Sequence, residues 1–243
     1  MLPLVQLLAG VVSLLPAADG SNCNSYLLRK ECGTDGVVRT VAVPYTPCEG
    51  DIVLFDDHSK MWLFLYKCVG SAPPSHAGIV VKLPDGRPAL LESGPDDGKL
   101  AGYYVCLVEA FSRLDGFNGS LYIRRLRQPL TPEQSACLTE FALNNVGKRY
   151  ALARLLLQAT PCRCRAPLRR RLFGATYMDR SHWLCAELAV AAGTSCGLFD
   201  PKIHKANSIY PLDLYEDKTY DISATYEPPA EWAAQPPDGA IVR

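Results

Sequence analysis

SHAGIVVKLPDGRPALLES, residues 75–93, reads as two strands joined by a tight loop. AGIVVKL (77–83) and PALLES (88–93) are built of aliphatic and β-branched residues, and Pro84-Asp85-Gly86 between them suits a three-residue hairpin loop. In such a loop, turn-type residues are followed by a glycine in the left-handed region. Pairing Leu83 with Arg87 then sets Glu92 opposite Gly78 and diagonal to His76 on the same face of the hairpin. Diagonal neighbours stand ~7–8 Å apart, within reach of long side chains. A slip of one residue would send Glu92 to the other face, so the pairing is a condition of everything built on it.

Outward from this hairpin, further strand-like runs are VVRTVAV (37–43), DIVLF (51–55), YYVCLVEA (103–110) and SLYIRRL (120–126), with Gly, Pro and Asp between them. Their spacing predicts an antiparallel sheet. The period then changes. Thr131-Pro132-Glu133-Gln134 has an N-cap, a proline at the first helical position and a capping-box residue, followed by apolar residues at helical spacing. YALARLLLQ (150–158) reads as helix, PCRCRAPLRRR (161–171) as a turn-rich basic stretch, and residues 184–192 as a second helix with Leu184, Leu188 and Ala191 on its buried stripe. Strands followed by helices point to an α+β fold. The last eighteen residues, from Tyr226, hold four prolines, which predicts a surface strap or disorder and no central strand.

The chain has 243 residues, enough to hide roughly 70% of its unfolded surface in a core without staples. With 25 Lys plus Arg against 25 Asp plus Glu, nothing in the total charge supports phosphate-backbone binding, so nucleic acid is not an expected partner. Of ten cysteines only Cys162 and Cys164 lie close together, without the second pair of ligands a zinc site needs, so neither metal nor other cofactor is expected. Residues 2–15 are apolar apart from Gln6 and Ser13 and end at Pro16-Ala17-Ala18-Asp19-Gly20, the pattern of a signal peptide cleaved after Gly20, although no Lys or Arg precedes the run. The expected organisation is a signal in 1–20, one domain over 21–226 and a Pro-rich tail over 227–243. Export to the periplasm or exterior follows if 1–20 acts as a signal, and a cytoplasmic protein if it does not. No other stretch approaches ~18 consecutive apolar residues, so no further membrane span is expected.

Two segments carry chemistry. His76 opens a strand of small and apolar residues, and Cys185 begins a predicted helix within HWLCAEL (182–188). A thiol at a helix start meets the dipole and unpaired N–H groups that favour thiolate, and a nearby imidazole would strengthen that effect and serve as base. Each residue alone also has a bland reading, a structural histidine and a small core hydrophobe. Glu92, held diagonal to His76, would orient the imidazole and complete a nucleophile-base-orienter set. His182 precedes the helix and need not face the thiol; His58 and His204 lie in loops and read as solvated. Glu187 falls on another helix face and complements the helix dipole. The arginines of 161–171 read as a solvated loop.

GDIVLF (50–55), SHAGIVV (75–81), LLES (90–93), GKRY (147–150), WLCAEL (183–188) and NSIYPLDL (207–214), in that order, resemble the YiiX/YaeF group of permuted papain-like cysteine amidases, relatives of NlpC-type peptidases and lecithin retinol acyltransferase. The likeness covers most of residues 47–215. It implies a circularly permuted papain-like α+β fold, an antiparallel sheet or barrel packed against helices with the nucleophile at a helix N-terminus. It also implies Cys185 as nucleophile, His76 as base, Glu92 as the third polar residue and Tyr150 as a cleft residue. Ala186 stands where the family usually has serine. The implied activity is thiol-dependent hydrolysis of an amide in a small peptide, a cell-wall peptide or an acylated small molecule. Acyl transfer or lipid ester cleavage at the same site, and a catalytically silent exported binding module, are the alternatives.

Overall fold

The computed structural model describes residues 25–94, 104–158, 160, 164–165, 167–173 and 180–243. The expected signal in 1–20 lies outside them, as do Cys162 and Arg163 of the basic stretch. In chain order the strands are β1 (Ser25–Cys32), β2 (Val38–Tyr45), β3 (Ile52–Asp56), β4 (His76–Lys82), β5 (Pro88–Gly94), β6 (Tyr104–Glu109), β7 (Ser120–Arg124), β8 (Arg149–Tyr150), β9 (His182–Trp183), β10 (Ala230–Ala233) and β11 (Ile241–Val242). The helices are α1 (Lys60–Cys68), α2 (Ala110–Asp115), α3 (Pro132–Asn145), α4 (Leu152–Leu157), α5 (Pro167–Phe173), α6 (Cys185–Ser195) and α7 (Pro211–Tyr215). All eleven strands join one curled, half-barrel sheet in the order β11-β2-β1-β10-β7-β3-β4-β5-β6-β8-β9. Its pairs are antiparallel except β11 with β2 and β8 with β9.

The central strands β3, β4, β5 and β7 are buried on both faces, which is why they read as continuous apolar runs. On one face Ile52, Leu54, Ile79 and Leu91 meet Leu138 and Ala142 of α3 and the apolar residues of α6 from Ala186 to Ala192. On the other, Val53, Phe55, Val80 and Leu90 pack against Leu27, Tyr45 and Leu114, because the sheet curls back over itself and α2 closes the gap. The residues from Cys185 to Gly193 are all buried, so α6 carries no exposed stripe. Its alanines let it lie close on β4 and β5 while α3 and α7 cover its remaining sides.

Local signals are realised where they are strong. In the α3 capping box, Gln134 N–H donates to Thr131 Oγ1 (3.2 Å) and Thr131 N–H to Gln134 Oε1 (3.0 Å). The 83–87 loop closes with Leu83 N–H donating to the Arg87 carbonyl (2.9 Å), and Gly86 takes φ +89°.

Several elements depart from expectation, three of them in ways that shape the site or the sheet. SYLLRKEC (25–32) forms β1, ahead of the first expected strand. KMWLFLYKC (60–68) forms α1, capped by Ser59, whose hydroxyl accepts from Trp62 N–H. The tail contributes β10 to the middle of the sheet, between β1 and β7. Its prolines, Pro228 and Pro229 before and Pro236 and Pro237 after, flank the four-residue run Ala-Glu-Trp-Ala and leave its N–H groups intact, so the ladder survives.

Candidate active site

The loop at 83–87 pairs Gly78 with Glu92. In that register the Glu92 carboxylate meets the His76 ring, Oε2 to Nε2 at 2.8 Å. Gly94 lies against the other side of the ring: a Cβ there would fall 3.0 Å from His76 Cε1. Phe55 of β3 is opposite His76 in the ladder, with ring centroids 5.2 Å apart. The imidazole is therefore held on three sides, with Nδ1 as the nitrogen Glu92 does not engage.

Cys185 is delivered from the far end of the chain. Trp183 in β9 is fully buried, its indole N–H donates to Asn145 Oδ1 (2.9 Å), and its carbonyl accepts from Ser93 Oγ (3.2 Å) and Ala151 N–H (2.9 Å). These bonds fix the strand just before α6, with Leu184 in extended conformation as N-cap and Cys185 as the first helical residue. The first N–H groups of a helix have no partner within it. Cys185 stands at that end of α6, and its thiol is hydrogen-bonded to His76.

Burial opposes charge on His76, but the neighbouring Cys185 and Glu92 outweigh it and hold the imidazole well above its ordinary range. Burial likewise opposes charge on Glu92, yet His76 and Arg113 draw its carboxyl down to about 2. Arg113 has no counterpart in the sequence reading. It rises from α2, donates Nε–H to Glu92 Oε1 (2.8 Å) and lies over the Phe55 and Phe117 rings at 4.7 and 5.5 Å. The result is a line of groups from Cys185 through His76 and Glu92 to Arg113.

Cys185 and His76 open into a cavity of about 90 Å³ whose lining includes Trp62 and Tyr66 of α1, Asp57, Tyr150 and Leu155. Tyr66 donates its hydroxyl to the Ser75 carbonyl (2.7 Å); burial, with the charge of Cys185 beside it, pushes its phenol up. Tyr150 also lines a broader, open depression of about 900 Å³ bordered by Arg149, Arg154, Arg180 and His182. Of the two, the smaller contains the thiol and the imidazole. Trp62, Tyr66, Asp57 and Arg113 were not found from sequence. For the first three the only available signal was the aromatic spacing of α1 beside Asp57.

The competing residues lie elsewhere. His182 is exposed and bonded to Ser181 Oγ (2.8 Å). His58 is exposed, its Nε2 3.0 Å from Ser120 Oγ. His204 is not the solvated side chain expected: both ring nitrogens are buried and lack a hydrogen-bond partner, and the ring packs between Phe199 and Tyr220. Glu187 is fully buried, with Oε2 bonded to Arg154 (2.9 Å), Arg180 (3.2 Å) and Leu184 N–H (3.4 Å). It thus caps α6 while tying two neighbouring segments to it. The basic stretch is likewise more than a solvated loop. Arg165 pairs with Asp213 and Glu216, and Arg169 is buried, donating to the Asn207 carbonyl (3.2 Å) with its guanidinium over Tyr210.

Among the described residues, no group of three or more His, Cys, Asp or Glu side chains is placed to hold a metal ion. No protein-family model matches the chain, and no curated protein matches it. A solved structure with some similarity is that of the metalloprotein YiiX from Escherichia coli O157:H7, 17% identical, with 64% of this chain and 69% of that one covered and a TM-score of 0.41.

Proposed function

We propose that the chain is a cysteine hydrolase of the permuted papain-like type that cleaves an amide through an acyl-enzyme on Cys185. The observation that carries this reading is one cavity shared by a thiol at a helix N-terminus and an imidazole oriented by a buried carboxylate. The Cys185 sulfur attacks the carbonyl carbon as thiolate, and the carbonyl π electrons move to oxygen, where the Cys185 backbone N–H donates. His76, having accepted the thiol proton, returns it to the leaving nitrogen as the C–N bond breaks. Water then gives a proton to His76 and its oxygen to the thioester carbon, the C–S bond breaks, and the acid departs.

Acyl transfer uses the same thioester with another acceptor in place of water, and the depression beyond Tyr150 offers room for one. The expected substrates are small peptides, cell-wall peptides or acylated small molecules. Screening peptide amides and acyl esters against the protein and its Cys185→Ala and His76→Ala variants tests the reading. Turnover present in the wild type and absent from both variants is expected. Turnover that survives Cys185→Ala, or a loss on His182→Ala with none on His76→Ala, overturns it.

A further inference from the structure

We propose that the face formed by α1, α4 and α5 docks on a bilayer surface containing anionic lipids and holds the mouth of the Cys185 cavity against it. Nine of the fifteen large hydrophobic side chains exposed among the described residues belong to these three short helices. α1 buries none of its residues and turns Met61, Phe64 and Leu65 outward, with Phe64 66% exposed. α4 presents Leu152, Leu156 and Leu157, with Leu156 69% exposed, and α5 adds Leu168 and Leu172. Apolar side chains exposed singly need no explanation, but this concentration in one region marks a contact surface.

α1 and α4 adjoin the site, and the segment that leads into α5 is tied to the end of α1. Trp62 and Tyr66 of α1 and Leu155 of α4 line the cavity that holds Cys185, and Arg165 N–H, just before α5, donates to the Val69 carbonyl at the end of α1 (2.7 Å). Their charge selects the occupant. The three helices contain six Lys or Arg and no Asp or Glu, in a chain whose formal charge is zero. Arg154 and Arg169 turn inward to Glu187 and Asn207, whereas Lys60, Lys67, Arg170 and Arg171 are exposed. Apolar tips with four exposed cations on the same helices, against Asp57 as the acid at the cavity mouth, match the acyl boundary and anionic headgroups of a bilayer. A second copy seated on the same face would set these cations against their own counterparts. Docking stands without catalysis at Cys185.

The test is cosedimentation of the full chain with vesicles of phosphatidylcholine and phosphatidylserine in equal parts, and with phosphatidylcholine alone. Binding to the mixed vesicles is expected, weakened about fivefold by each of Lys60→Ala and Lys67→Ala. The double variant Phe64→Glu/Leu156→Glu should lose at least about tenfold in binding while Cys185 still reacts with a small alkylating agent at the wild-type rate. Cys185→Ala should bind as the wild type does, so failure of the hydrolase reading and failure of docking give different results. The proposal is overturned if the wild type stays in the supernatant with both vesicles, or if the double variant sediments undiminished. It is overturned equally if the wild type is a dimer by sedimentation without vesicles and the Phe64→Glu/Leu156→Glu variant is a monomer, since a second copy then covers the face.

Discussion

Replacing Glu92 by Gln keeps the side chain's shape and removes its charge from a site where it is only 6% exposed and meets two cationic partners. The amide oxygen can still accept from Arg113 Nε, which leaves the amide N–H₂ facing His76 Nε2. Two donors then oppose each other unless the ring moves its proton to Nδ1, and in that tautomer His76 cannot take a proton from Cys185. Loss of the charged hydrogen bond alone costs about 1.5–3 kcal/mol, roughly 10- to 150-fold in rate. The tautomer error can extend the loss to about 10⁴-fold, as removal of the orienting carboxylate does in other triads. The expected fall in kcat/KM therefore lies between these limits, while alkylation of Cys185 persists.

The pH profile separates this role from a merely structural one. Glu92 helps raise His76, so the imidazolium is present below that raised value and is lost as pH rises through it. Neutralising Glu92 lowers His76, and the basic limb of turnover must move to lower pH. The assay is initial rates on whichever acyl amide or ester the wild type turns over, across pH, with alkylation measured in parallel. Wild-type kcat/KM with an unmoved basic limb refutes the reasoning, as does an intact Glu92→Gln beside a crippled Asp57→Asn, since Asp57 also faces the cavity.

Cys32, Cys48, Cys68 and Cys137 are exposed and Cys185 is 7% exposed, so labelling in order of accessibility would put Cys185 after all four; mass mapping after brief iodoacetamide treatment near neutral pH should instead find it modified first. Gly94→Ala should push the His76 ring by a few tenths of an ångström and lower turnover by up to about 100-fold with a small change in urea midpoint; an unchanged rate would show that the ring has room to yield. Arg124 is fully buried and donates to Asp217 (2.7 and 3.0 Å) and to the Leu214 and Glu227 carbonyls (3.2 and 3.0 Å), so Arg124→Met should cost about 2–4 kcal/mol in urea unfolding. Arg29→Ala, which removes a partly exposed ion pair with Glu227, should cost less than about 1 kcal/mol, and equal losses in the two variants would show that burial is not what decides.

Local features were legible in the chain itself. The Pro84-Asp85-Gly86 loop sets the β4–β5 register, because a loop of that length permits one pairing, and the register puts Glu92 beside His76 sixteen residues away. The α3 cap was legible for the same reason: its signals lie within one helical turn. Tertiary structure decided the rest. Arg113 joins Glu92 only because the chain turns from β6 into α2 over the curled sheet, an approach with no periodicity to betray it. β10 entered the middle of the sheet because β1 and β7 offered unpaired edges on both its sides, a demand that no reading of the tail's own prolines could register. Cys185 and His76 meet across more than a hundred residues because α6 is buried against β4, and that burial depends on the sheet, α3 and α7 together enclosing the helix.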